Sequence, residues 1–111
     1  MRAVDHLDDR SRALLGLGQR AGRIMAGEAA AEQAIRTGEA LLVLLAVDAG
    51  TATARHFLRL CREKGIPYRQ EGTREELGRA IGKSPRAVLA VTGERFALAL
   101  MKKLPERDSK E

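Results

Sequence analysis

The sequence is short of most of what catalysis and metal binding require. It has one cysteine, Cys61, and two histidines, His6 and His56. A single thiol excludes an intramolecular disulfide and any multi-cysteine metal site. Two imidazoles are a thin supply for acid–base or metal chemistry. Tryptophan is absent, and Phe57, Tyr68 and Phe96 are the only aromatics. Recognition of flipped or unpaired bases by stacking needs several rings, so that mode is nearly excluded. The core must be built instead from Leu, Val, Ile and Ala. No run of about 18 apolar residues is present, so no membrane partner is expected. The opening MRAVDHLDDRSR has no apolar signal core, and the expected location is the cytoplasm.

What is present is one basic domain. A chain of 111 residues with 44% hydrophobic content has enough core to fold without a metal or disulfide staple. Twenty Lys and Arg against fifteen Asp and Glu leave +5, which points to a polyanionic partner, nucleic acid first. The excess is uneven. Residues 1–40 net to zero, whereas residues 41–70 carry Arg55, Arg59, Arg62, Lys64 and Arg69 against Asp48 and Glu63.

Glycines punctuate the chain into pieces of helix or strand size. Residues 9–21 read as a helix with Asp9 or Ser11 as N-cap, and 23–26 as a short strand. EAAAEQAIRT, 28–37, is a helix stopped by Gly38. ALLVLLAV, 40–47, is a strand buried on both faces. Residues 51–64 form an amphipathic helix. Leu58 and Cys61 face inward with Phe57 at the margin, and Arg55, Arg59 and Arg62 face out. Residues 66–71 read as a strand with Pro67 at an edge or first position. Thr73 and Glu76 have the spacing of a capping box. KSPR, 83–86, is loop, AVLAVT, 87–92, a second fully apolar strand, and residues 94–104 the last helix, ended by Pro105. Segments 1–8 and 105–111 are expected to be flexible ends around a domain at 9–104. Strands alternating with helices predict a single-domain, three-layer α/β/α sandwich.

Gly16, Gly18 and Gly22 spell GxGxxxG, but no strand precedes them, so close helix packing is the better reading than a dinucleotide fingerprint. Asp48 and Thr92 each follow an apolar strand and raise a phosphoacceptor site. The strand ends supply no acidic pair for Mg²⁺, so Asp48 is expected to satisfy backbone N–H groups at the start of the following helix. Cys61 is expected to be a buried small hydrophobe, and His6 and His56 to face solvent. No catalytic residue, metal ligand or cofactor is expected, and the chain reads as a non-enzyme. The remaining feature is cationic. Gly27 opens the 28–37 helix, whose free N–H groups suit a phosphate. Arg20 and Arg23 precede it, Arg36 closes it, and Lys83 and Arg86 flank Ser84–Pro85. Both segments are expected at one end of the sandwich.

LLGLGQRAGRIMAGE, the run from Gly27 to Asp48, and the KGIPY…LGRAIGK pair together resemble the kink-turn RNA-binding ribosomal protein family of the L-seven-Ae type, in its small bacterial YlxQ-like branch. The resemblance spans about residues 12–104. It implies an α/β/α sandwich with a small mixed four-stranded sheet. It also implies RNA binding at the start of the second helix and at the loop 82–87. Kink-turn binders there have Gly-x-Asn-Glu with a Lys three residues on. Here Gly27 and Glu28 are followed by Ala29 and Ala30, and Gln33 stands at the Lys position. Methyl groups cannot bond guanine edges, so kink-turn preference is expected to be weak. The expected site is Arg20, Arg23, Gly27, Glu28, Ala29, Ala30, Gln33, Arg36, Lys83, Ser84, Pro85 and Arg86. The expected partner is structured RNA, ribosomal or messenger, bound by a monomer, with no DNA partner. The competing reading is a protein-interaction module on the same scaffold, and a nucleotide-binding or phosphoacceptor domain comes third.

Overall fold

Two apolar segments occupy the centre of the molecule. The computed structural model describes residues 6–103. Over these the chain runs α1 (Asp9–Arg20), β1 (Ile24–Ala26), α2 (Glu28–Arg36), β2 (Leu42–Leu45), α3 (Thr51–Lys64), β3 (Tyr68–Gln70), α4 (Arg74–Ala80), β4 (Val88–Val91) and α5 (Glu94–Lys103). Every residue of β2 and β4 is buried, and the two strands are neighbours in a sheet of order β1-β4-β2-β3. Their side chains alternate as the pleat requires. Leu42, Leu44, Leu89 and Val91 pack against Leu15, Leu77 and Leu100 from α1, α4 and α5. Val43, Leu45, Val88 and Ala90 pack against Ala31, Ile35, Phe57 and Cys61 from α2 and α3. Burying each large aliphatic contributes about 1.5–3 kcal/mol, so strands of four residues with two covered faces suffice. The fold is the three-layer sandwich the sequence predicts.

The sheet is mixed. β2 and β3 are parallel, joined across α3, whereas β4 runs antiparallel to both its neighbours, with Leu42 opposite Val91 and Leu45 opposite Val88. β3 takes the edge position with Pro67 just before it, and the Pro67 carbonyl accepts from the Val43 amide at 3.0 Å. The reversal at β4 comes from how the chain returns over α4. α4 is only seven residues long, about 10 Å, and the chain doubles back along it. The Lys83 amide donates to the Gly78 carbonyl at 2.8 Å and the Arg86 amide to the Arg74 carbonyl at 3.0 Å. β4 therefore starts at the end of the sheet where β2 and β3 finish. Thr92 and Asp48 consequently lie at opposite ends, which removes the phosphoacceptor pairing.

The capping box is formed: Thr73 Oγ1 accepts from the Glu76 amide, and Glu76 Oε1 from the Thr73 amide, both at 3.1 Å. The cap of α1 differs from expectation. Asp8 is the N-cap, its Oδ1 accepting from the Ser11 amide at 2.7 Å. Leu7 is buried and the Arg12 guanidinium donates to its carbonyl at 2.6 Å, so packing begins two residues before the expected boundary at 9. On α3 the inward face is Phe57, Leu60 and Cys61, with Leu58 half-buried. Residues 1–5 of the expected flexible end 1–8, the whole of 105–111 and the expected stop at Leu104–Pro105 lie outside the described residues.

Candidate nucleic-acid interface

One end of the sandwich collects the starts of α2, α3 and α4 together with loop 82–87. Gly27, the N-cap of α2, has φ 95° and ψ 168°, a conformation essentially restricted to glycine. Its amide donates to the Val88 carbonyl at 3.0 Å, which ties the start of α2 to the start of β4. A Cβ on Gly27 would lie 3.7 Å from Cδ and Nε of Arg86. The two segments named from sequence are therefore in contact. No side chain caps α2, so its first N–H groups stay open.

The loop is held from below by a glycine that sequence reading missed. A Cβ on Gly78 would collide with the Ser84 carbonyl and come within 2.8 Å of Pro85 Cα. Only a residue without a side chain lets the loop lie on α4. The available signal was a glycine inside an otherwise helical pattern. Arg86 Nη1 lies 2.7 Å from Ser84 Oγ and 3.0 Å from the Ser84 carbonyl, so the side chain is drawn across its own loop towards Gly27. Lys83, Ser84 and Pro85 are exposed and Arg86 is half-buried. Across a shallow recess from Pro85 stand Asp48, Arg74 and Glu75. Arg74, absent from the sequence-based site, belongs to this end.

Along α2, Glu28, Ala29 and Gln33 are exposed and Ala30 is half-buried. Glu28 Oε2 accepts from Thr53 Oγ1 at 3.2 Å, linking the starts of α2 and α3. Arg20, Arg23 and Arg36 are not part of this cluster. β1 carries the chain about 10 Å between Arg23 and Gly27. The Thr92 amide donates to the Arg23 carbonyl at 2.8 Å, fixing Arg23 at the far end of β4. Arg20 ends α1. Arg36 ends α2, about 13 Å of helix from Gly27, and pairs with Glu32 at 2.7 Å. The sequence-based site is thus split between two ends of the molecule.

The remaining candidates have structural partners. Asp48 Oδ1 accepts from the Arg74 amide at 2.8 Å and its Oδ2 lies 3.7 Å from Arg74 Nε. It caps α4, not the following helix as expected, because β2 and β3 end side by side. Cys61 is buried, which pushes its thiol up to about 11, far from a nucleophile's range. His56 does not face solvent alone. Its Nε2 lies 2.8 Å from Glu32 Oε1, joining α3 to α2, and Arg59 Nη2 donates to its Nδ1 at 3.2 Å. The bonds from His56 and then Arg36 hold the Glu32 carboxyl below its ordinary range. His6 is exposed and bonded to Glu76 at 3.3 Å. Gly18 and Gly16 are packing glycines, with Ile24 and the Ala80 carbonyl within 3.2 and 3.4 Å of their Cβ positions. Among the described residues no His, Cys, Asp or Glu group is placed to hold a metal ion, and no helix is long and apolar enough to cross a membrane.

The fold is thus a single α/β sandwich whose uncapped helix start is flanked by a cationic loop. The family model described as the ribosomal protein L7Ae/L30e/S12e/Gadd45 family matches residues 9–100, and the chain belongs to that family. It is 42% identical over 88 residues to the RNA-binding protein YlxQ of Bacillus subtilis (strain 168), covering 79% of this chain and 88% of that protein. Among solved structures, a protein with unknown function from Bacillus halodurans C superposes with a TM-score of 0.82 at 37% identity, over 86% of this chain and 96% of that one. The Giardia lamblia 15.5kD RNA binding protein superposes with a TM-score of 0.75 at 25% identity, over 91% and 92%.

Proposed function

We propose that the protein binds structured RNA, ribosomal or messenger, as a non-catalytic cytoplasmic monomer, through the end where α2 begins. The observation that carries this reading is the placement of Arg86 against Gly27. A cation beside the positive end of a helix is unfavourable in the free protein by about 0.3–1 kcal/mol. A phosphate between the guanidinium and the open N–H groups of α2 turns that repulsion into two attractions. Lys83 and Arg74 enlarge the same field. Two relatives whose names say that they bind RNA support the class of ligand.

The side chains that this end presents set the mode of recognition. Ala29 and Ala30 offer no donor or acceptor, so sequence-specific reading of paired guanines is weak. Binding rests on phosphates, the open amides, Glu28 and Gln33. Filter-binding titrations with an RNA duplex and a kink-turn hairpin test the reading. If Lys83, Arg86 and Arg74 neutralise about three phosphates, log K falls with log[salt] at a slope of roughly −2 to −3. Lys83→Glu with Arg86→Glu weakens binding to both RNAs. Absence of RNA affinity at moderate salt overturns the reading in favour of a protein-interaction module.

A further inference from the structure

The cations of the most basic stretch of the sequence, residues 41–70, take no part in the site just described. Its arginines Arg55, Arg59 and Arg62 stand at i, i+4 and i+7 on α3, which the helical repeat gathers within about 60° of arc. All three are exposed. The opposite side of the helix buries Phe57, Leu60 and Cys61, and Thr53 and His56 bond to α2. The arginines therefore form a continuous outer stripe.

This stripe is built differently from the charged faces of α2 and α4. On α2, Arg36 pairs with Glu32 at 2.7 Å, and on α4, Arg79 pairs with Glu75 at 2.8 Å. Both are Glu-first i,i+4 pairs, the favourable order. α3 instead aligns Arg55 with Arg59, a like-charge i,i+4 pair that destabilises an isolated helix. Arg59 reaches Glu63 only at 3.9 Å and in the less favourable order. Among the described residues neither Arg55 nor Arg62 has a hydrogen-bond or ion-pair partner. The helix dipole accounts for Arg62 in the last turn but not for Arg55 in the second. The stripe also starts beside the RNA site, because α3 begins at the sheet end that holds Gly27, with Thr53 bonded to Glu28 at 3.2 Å.

We propose that the outer face of α3 is a second RNA contact, a track for the phosphate backbone of a stem that leaves the α2–loop site. This rests on the RNA-binding reading above. Arg55 to Arg62 span about 10 Å of helix, the axial advance of about three phosphates at ~3.4 Å per step along one strand. A planar, always-charged fork at each position suits phosphate without regard to base sequence.

The test uses a kink-turn hairpin with a flanking stem of about 12 base pairs and the same hairpin cut to about three, titrated over salt. The wild-type protein is expected to show a steeper salt slope on the long RNA. Arg55→Gln with Arg62→Gln is expected to lower that slope by roughly 1.5–2 and to leave the short RNA unchanged. Gln keeps the helix propensity, and circular dichroism checks the fold. Arg55→Lys with Arg62→Lys is expected to restore the slope. Arg10→Gln with Lys102→Gln removes the same net charge from exposed positions on α1 and α5 and is expected to change neither slope. Equal wild-type slopes on the two RNAs overturn the track, as does an unchanged slope in the Gln variant. So does equal loss on both RNAs. Failure of the wild-type protein to bind either RNA overturns the RNA-binding reading itself.

Discussion

Arginines at the two ends of the sandwich meet different poles of the helices that carry or touch them. At the far end, Arg20 and Arg36 sit in the last turns of α1 and α2, where a cation compensates the negative pole of its own helix. Arg36 is also paired with Glu32. Those two charges are accounted for by the free protein, whereas Arg23 at the same end packs against Gly93 at the start of α5. At the near end, Arg86 lies against the N-cap of α2, where its charge opposes the helix dipole, and Lys83 is exposed on the same loop. A cation held against the start of a helix is informative about a ligand, because the helix dipole opposes it in the free protein. That criterion, and not charge density, separates Arg86 from Arg20 and Arg36.

The strongest way to sharpen the contrast is to restore base readers at the near end. Ala29→Asn, Ala30→Glu and Gln33→Lys place polar groups on the first turns of α2, at two exposed positions and one half-buried one. Each good base contact is worth about 1–3 kcal/mol, so kink-turn affinity should rise by about 30-fold or more while duplex affinity stays nearly constant. No gain for either RNA, read by competition titration, would place the RNA surface elsewhere.

Gly78→Ala breaks the near end mechanically. The new methyl meets the Ser84 carbonyl, and displacing that backbone costs about 1–3 kcal/mol of stability, read from urea denaturation. RNA affinity should fall with it, because the loop carrying Lys83 and Arg86 moves. Charge reversal compares the ends directly. Lys83→Glu with Arg86→Glu should weaken RNA binding by about tenfold or more, and Arg23→Glu with Arg95→Glu, two residues lining one recess at the far end, by no more than about twofold. Equal losses from the two pairs would erase the distinction.

The smallest effect is a pH dependence at the start of α4. Burial would raise the Glu76 carboxyl, but the Thr73 amide and His6 outweigh it and hold the group below its ordinary value of 4.5. A depressed carboxylate contributes stability that is present above the unfolded value and lost as pH falls through the folded one. Unfolding measured from pH 6 downwards should therefore show progressive loss below about pH 4.5. Glu76→Gln, which keeps the capping-box bond, should flatten that part of the profile. An identical slope in both proteins would exclude Glu76 as its source.

Local signals were enough to read most elements. The apolar runs at 40–47 and 87–92, the Thr73–Glu76 spacing and the glycine stops gave nine elements in the right order, because each depends on neighbours in sequence. The first N-cap is Asp8, one residue before Asp9 and three before Ser11, the two candidates the sequence offers. Asp8 and Asp9 are both suitable chemically, and only the entry of the buried Leu7 into the core decides between them. Asp48 was assigned to the wrong helix for a similar reason, since its partner Arg74 is 26 residues away.

For the site, sequence determined the residues available: a cationic loop, and a glycine opening an alanine-rich helix. Those follow from residue identity. Which cations act together was decided only by the tertiary structure. Arg20, Arg23 and Arg36 lie closer in sequence to Gly27 than Arg86 does, yet a three-residue strand and a nine-residue helix carry them to the other end. Arg86 arrives because loop 82–87 folds back over Gly78 and β4 runs antiparallel to β1. Strand direction and loop reversal are set by packing between distant segments, which no local pattern encodes.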